Sequence, residues 1–181
     1  MSLLQRVLGR AFESARVLGP VRWNLALAIF RSLSLIAPNR AWVQRDLGRA
    51  YTGKKQWEQA EAACQRAVAL APEDPWGFYA LAECQIAQQD WAAAEMSCQK
   101  SLALDSESGW FHHQYSKVLQ GQERLEEALS ACERALATEQ NVSWFHYGLG
   151  VALIQLGRCE EAIAPLKTSL RLNSGFPWAK F

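Results

Sequence analysis

Histidines, cysteines and paired carboxylates are the side chains best suited to chemistry, and their spacing in this 181-residue chain argues against it. None of the three histidines, His112, His113 and His146, stands at ligand spacing from a thiol or carboxylate. A metal site needs three or four converging ligands. His112 and His146 lie 34 residues apart and are expected in the core. Of the five cysteines, Cys64, Cys98 and Cys132 recur at the same step, while Cys84 and Cys159 form no Cys-x-x-Cys pair. An odd number of thiols without a secretory signal favours a reducing compartment, the cytoplasm being the simplest address. The cysteine ladder is expected to pack as small hydrophobes. Glu126-Glu127 and Glu160-Glu161 suit the start of a helix, where negative charge meets the dipole. Glycine-rich phosphate loops, a nucleophile elbow and His-Glu-x-x-His are missing. The expectation is a chain with no catalytic residue, no metal site and no cofactor.

The period that spaces the cysteines organises the whole chain. Trp42, Trp76, Trp110, Trp144 and Trp178 are each 34 residues apart, and Trp23, Trp57 and Trp91 form a second ladder. Ala26, Ala60, Ala94, Ala128 and Ala162 make a third. Within a unit the apolar residues recur at three and four, as in Leu47, Tyr51, Ala60, Ala63, Cys64 and Ala67, which is helical spacing. Polar or glycine-bearing connectors, such as Gly53–Gln56 and Gly121–Arg124, separate two helical stretches per unit, and proline or small polar residues separate the units. Each unit therefore reads as a helical hairpin.

Leu47, Gly48, Tyr51, Ala60 and Pro72 fall in one unit, and Leu149, Gly150 and Ala162 in another. On these residues the chain resembles the tetratricopeptide repeat (TPR) family, whose signature places Leu-Gly-x-x-Tyr on a first helix, an alanine on the second and a closing proline. The resemblance implies an all-α, right-handed TPR solenoid of stacked antiparallel helix hairpins. Four units span 41–74, 75–108, 109–142 and 143–176; the middle two replace the glycine by Ala82 and Ser116. Residues 1–40 read as a degenerate N-terminal repeat or capping helices, with Trp23, Ala26, Phe30 and Leu33 in phase. Residues 177–181, with Trp178 and Phe181, begin a truncated further repeat.

In family members the first helices line a concave groove. The matching phases here are Trp42, Arg45, Arg49 and Thr52, then Trp76, Tyr79, Glu83 and Ile86, then Trp110, His113, Lys117 and Gln120, then Trp144, Tyr147, Val151 and Ile154. Tryptophan, tyrosine and arginine dominate binding hot spots. A tryptophan after a turn can equally seal the joint between units. Trp23, Trp57 and Trp91, at the starts of second helices, read as structural. Arg45 and Arg49 favour a ligand with acidic as well as bulky apolar residues. Glu83 and Trp110 disfavour a clamp for the C-terminal carboxylate of chaperones.

The net charge of +1 recommends no nucleic-acid partner, although residues 1–55 carry +8 and the remainder −7. Leu3–Leu18 has an apolar helical face edged by Arg6, Arg10 and Arg16. Such a helix can cap the stack, which continues the repeat phase, or lie on an anionic membrane. No stretch reaches the ~20 apolar residues that span a bilayer. At the other end, Ile163, Leu166, Leu170 and Leu172 offer an apolar stripe for self-association, and Pro165 is placed to bend the last helix. Together these features imply a non-catalytic protein–protein interaction scaffold that binds a peptide or protein segment in its groove. The rival readings are a TPR arm of a longer bacterial protein such as a transferase, and an assembly factor recruited to membranes.

Overall fold

The structure is a computed structural model that describes residues 20–172, with nine helices and no strand among them. The expectations for Leu3–Leu18, Trp178 and Phe181 lie outside the described residues. The chain divides into two compact units, Met1–Gln88 and Gln89–Phe181, a division that falls within the 75–108 segment. The first unit holds α1 (Pro20–Ile36), α2 (Ala41–Gly53), α3 (Trp57–Leu70) and α4 (Pro75–Ala87). The second holds α5 (Trp91–Leu104), α6 (Gly109–Gly121), α7 (Leu125–Thr138), α8 (Ser143–Gln155) and α9 (Cys159–Leu172). First helices begin at 41, 75, 109 and 143 and second helices at 57, 91, 125 and 159, so the 34-residue phase holds throughout.

The turns inside the hairpins repeat as faithfully. Lys55, Gln89, Glu123 and Gly157 all have positive φ, between 58° and 76°. The Lys55 amide donates to Thr52 O (3.0 Å) and the Gln56 amide to Tyr51 O (3.0 Å), which closes the helix end as a Schellman motif. Glu123 and Arg124 repeat the pattern onto Gln120 O and Leu119 O, and Gly157 and Arg158 onto Ile154 O and Leu153 O. The glycines at 53 and 121 are therefore not the left-handed residues of their turns. They end α2 and α6, where a Cβ on Gly53 would enter the Trp23 indole and one on Gly121 would lie 2.6 Å from Trp91 Cε3. Each indole lies across the end of the next hairpin's first helix, so Trp91 is wedged between hairpins rather than within one.

Inside a hairpin the helices meet at small residues. A Cβ on Gly48 of α2 would strike Cys64 Sγ of α3 and lie 3.0 Å from the Ala60 carbonyl oxygen. Ala60, Cys64 and Ala67 are fully or almost fully buried, as are Ala128, Cys132 and Ala135 of α7. In the last hairpin the glycine partner is a leucine: Leu166 of α9 fills the space over Gly150 of α8. Leu166 thus belongs to the hairpin interior with Leu153 and Ala162, and leaves the outward stripe expected of it. Pro165 lies inside α9, which continues as one helix to Leu172. In the first unit Phe30 of α1 packs on Leu47, Ala50 and Ala63, with Trp23 and Trp42 beside them.

Alanine is ordinarily about 0.5–1 kcal/mol better than glycine within a helix. At position 48 the contact should reverse that sign: Gly48→Ala is expected to destabilise by roughly 1–3 kcal/mol through overpacking. The double variant Gly48→Ala, Cys64→Ala should recover part of the loss. Urea denaturation measures both, and a raised midpoint for the single variant would mean that α2 and α3 are further apart than described.

Candidate functional site

The expected groove residues sit on first helices, two such helices in each unit. In the first unit α2 supplies Trp42, Arg45 and Arg49, and α4 supplies Trp76, Tyr79 and Glu83. Arg49 Nε donates to Glu83 Oε2 at 2.8 Å, which ties α2 to α4 across one repeat. Burial disfavours the Arg49 charge, but Glu83, with help from Tyr79 and Asp46, outweighs it and holds the guanidinium above its ordinary pKa. Arg45 donates to both carboxylate oxygens of Asp46 (2.9 and 3.2 Å) and approaches Asp74 at 4.0 Å. Both arginines are thus matched by carboxylates of their own chain, and the preference for an acidic ligand expected from the sequence is offset locally. Trp76 is 40% exposed and meets Tyr79 edge to face, with ring centroids 5.4 Å apart. Tyr79 itself is buried.

In the second unit α6 supplies Trp110, His113 and Lys117, and α8 supplies Trp144, Tyr147 and Val151. His113 is only 6% exposed, against Gly148, where a Cβ would come within 2.9 Å of its Nδ1. A ligand would meet the neighbours of Tyr79 and His113 before these rings. Trp110 meets the buried Phe145 edge to face at 5.1 Å and so seals the joint between α6 and α8. Trp144 pairs instead with Tyr147, edge to face at 6.2 Å, both half-exposed, and Ile154 is 48% exposed. Tryptophans of one ladder therefore play both parts. The buried Phe111 and Phe145 also stand 34 residues apart, but the ladder is invisible in the first unit, where Val43 and Gly77 hold the phase.

Two of the histidines bond to loop carbonyls, four of the cysteines are buried, and Cys159 is exposed. His112 and His146 are half-exposed rather than in the core: each ring Nε2 is 2.8 Å from a loop carbonyl six residues earlier, Ser106 O and Gln140 O. Cys64, Cys84, Cys98 and Cys132 are buried, and desolvation pushes Cys98 up to about 12 and Cys132 up to about 11. Among the described residues no group of three or more His, Cys, Asp or Glu could hold a metal ion.

A polar cluster that the sequence did not single out joins α5 to the α6–α7 turn. Glu95 Oε1 accepts from Tyr115 (3.1 Å) and from Arg124 Nη1 (2.7 Å), and Oε2 accepts from Gln122 Nε2 (2.8 Å). The other edge of the Arg124 guanidinium grips Glu127 at 2.7 and 2.8 Å. Such an arrangement can clamp hairpins together but has neither an open position nor a nucleophile.

The sequence model of the family described as tetratricopeptide repeat matches residues 22–75 and 119–175. No curated protein sequence matches the chain. Several solved structures share its fold. A thermophilic TPR protein of Thermus thermophilus is 18% identical, with a TM-score of 0.83 over 94% of this chain and 91% of that one. MamA of Desulfovibrio magneticus is 14% identical, with a TM-score of 0.67 over 97% and 96%. PilF of Pseudomonas aeruginosa is 26% identical, with a TM-score of 0.70 over 77% of this chain and 64% of that one.

The Glu95 cluster makes stability depend on pH. Hydrogen bonds from Gln122, then Arg124 and Tyr115, hold the Glu95 carboxyl below its usual range. Its stabilisation is present above the unfolded pKa of about 4.3 and is lost as pH falls through the folded value. Glu95→Gln should therefore lower the melting temperature at pH 7, with a gap to wild type that closes below about pH 4. A gap that is the same at both pH values would mean that the carboxylate charge contributes nothing.

Proposed function

This chain belongs to the tetratricopeptide repeat family, and from that premise we propose that it is a non-catalytic scaffold that binds a peptide or protein segment on the first-helix faces of its repeats. The observation that carries the reading is the half-exposed aromatic surface those helices present, with Trp76 at 40% exposure over Tyr79 and the Trp144–Tyr147 pair in the second unit. Indoles supported from behind offer large contact area at small entropic cost, the usual character of hot spots. Trp42, Trp76, Trp144, Tyr147 and Val151 are proposed to meet the ligand; Tyr79, His113 and Trp110 hold them in place. Arg45, Arg49, Glu83 and Lys117 set polar register. With the arginines matched internally, bulky apolar side chains of an extended or helical segment are the main ligand determinant. The setting is cytoplasmic, where its thiols stay reduced. No helix among the described residues is long and apolar enough to cross a membrane.

Affinity capture from lysate with wild type, with Trp76→Ala, Trp144→Ala and with the control Arg134→Ala tests this. The aromatic variant should lose the partners that the other two retain, with each truncation weakening binding by about 2 kcal/mol. Equal capture by all three proteins, with unchanged melting, would remove the first-helix faces from the binding reaction.

Self-association through the C-terminal end is a second reading, favoured by Ile163 of α9, which is 51% exposed. Light scattering should then show a concentration-dependent rise in mass that Ile163→Glu abolishes. A monomer at high concentration would end this reading.

A further inference from the structure

Helix α1 is apolar on two sides, and among the described residues only one of them is packed against another helix. Trp23, Leu27 and Phe30 face α2 and its core. On the other side Leu25, Leu35 and Ile36 are 62%, 85% and 81% exposed. Leu25 and Ile36 are eleven residues apart, which places them about 20° apart around the axis and roughly 16 Å apart along it. They make an apolar strip along the outside of the first unit that the exposed Ser32 interrupts, and Leu35 widens it at the C-terminal end, about 100° around the axis from Ile36. An apolar surface on both flanks of one helix marks an interface with something other than water.

The charges around this stripe have one sign. Arg31 lies exposed on α1 itself, and Arg40, also exposed, follows just beyond Ile36. At the opposite end Gly53 packs on the Trp23 indole, so half-exposed Lys54 and exposed Lys55 follow near the start of α1, on the side that faces α2. Between Trp23 and Trp57 the sequence has six Lys or Arg and one carboxylate, Asp46, which is buried and bound to Arg45. Of the six, Arg45 and Arg49 are matched within the first unit. Cations therefore flank an aliphatic strip at both ends.

We infer that this face of the first unit docks on an anionic lipid surface, with Leu25, Leu35 and Ile36 entering the headgroup region while Arg31, Arg40, Lys54 and Lys55 meet lipid phosphates and carboxylates. One feature favours lipid over an acidic protein. Aliphatic side chains edged by exposed Lys and Arg are what an interfacial helix presents to a membrane, and cytoplasmic leaflets supply the negative charge. The inference does not depend on the partner-binding reading, because the aromatic surface lies on other helices.

Co-sedimentation of the full chain with vesicles tests it. Wild type should pellet with phosphatidylserine/phosphatidylcholine vesicles, should stay in solution with phosphatidylcholine alone, and should be released by 0.5 M salt. Two double variants, Leu35→Glu, Ile36→Glu and Arg31→Glu, Arg40→Glu, should each reduce pelleting at least fivefold. These side chains are exposed, so melting should be unchanged; where one variant does melt lower, the other decides. Wild type that stays in solution with anionic vesicles would overturn the inference, as expected if the face takes an acidic protein. So would folded variants that pellet like wild type, since residues 1–19 are intact in every protein and would then carry the attachment.

Discussion

Two helices can approach to about 8 Å only where small side chains meet, and the rest of this fold depends on that approach. Gly48 lies against Ala60 and Cys64; Gly150 gives its missing volume to Leu166 instead. Because the crossing needs a small residue on at least one side at a fixed height, the alanine and cysteine phases recur even where the glycine does not. With the inner faces fixed, the Trp23 and Trp91 indoles at the starts of second helices lie over the end of the next first helix. Gly53 and Gly121 leave that place open for Trp23 and Trp91. The repeat length follows from these two contacts together: one sets the spacing of helices within a hairpin and the other the spacing between hairpins.

This dependence explains what was legible in the sequence. A constraint acting once per hairpin prints itself at one period, so helix starts at 41, 57, 75, 91, 109, 125, 143 and 159 follow from the tryptophan and alanine ladders. Family membership was legible for the same reason. What escaped was whatever depends on a side chain's direction rather than its phase. Lys55, Gln89 and Glu123 adopt the left-handed conformation that glycine fills only at Gly157, and residue type at those positions does not announce it. His112 and His146 hold a phase where family members keep core aromatics, yet an imidazole can reach a loop carbonyl that a phenyl ring cannot use. Leu166 sits where Cys64 and Cys132 sit in their hairpins, which takes it inside rather than outward.

The candidate surface was legible at the level of positions and only partly at the level of roles. Position told which residues share a first-helix face; it did not tell that Glu83 stands 2.8 Å from Arg49 or that Asp46 occupies Arg45. Ion pairing across one repeat is a relation between neighbouring rungs of one ladder, Arg49 and Glu83, and each rung read alone shows only a basic or an acidic residue. The same holds for Trp110 and Trp144, identical in phase but different in partner, one on buried Phe145 and the other on half-exposed Tyr147.

Separating packing from recognition in this chain therefore means asking what lies behind each aromatic ring. Where a ring is itself mostly covered and seals against a buried one, as Trp110 does on Phe145, its removal would uncover the core, and stability is what holds it. Where it sits on the outside of a supported ring, as Trp76 does on Tyr79, the fold needs the inner ring, and the outer one can serve recognition. Repetition makes this division inexpensive: the crossing and the indole wedge fix the stack from the inner and terminal faces, which leaves the outward phases of each first helix, and the outer side of α1, to vary in chemistry without disturbing the period. The surfaces proposed for a protein segment and for lipid are both drawn from those unconstrained phases.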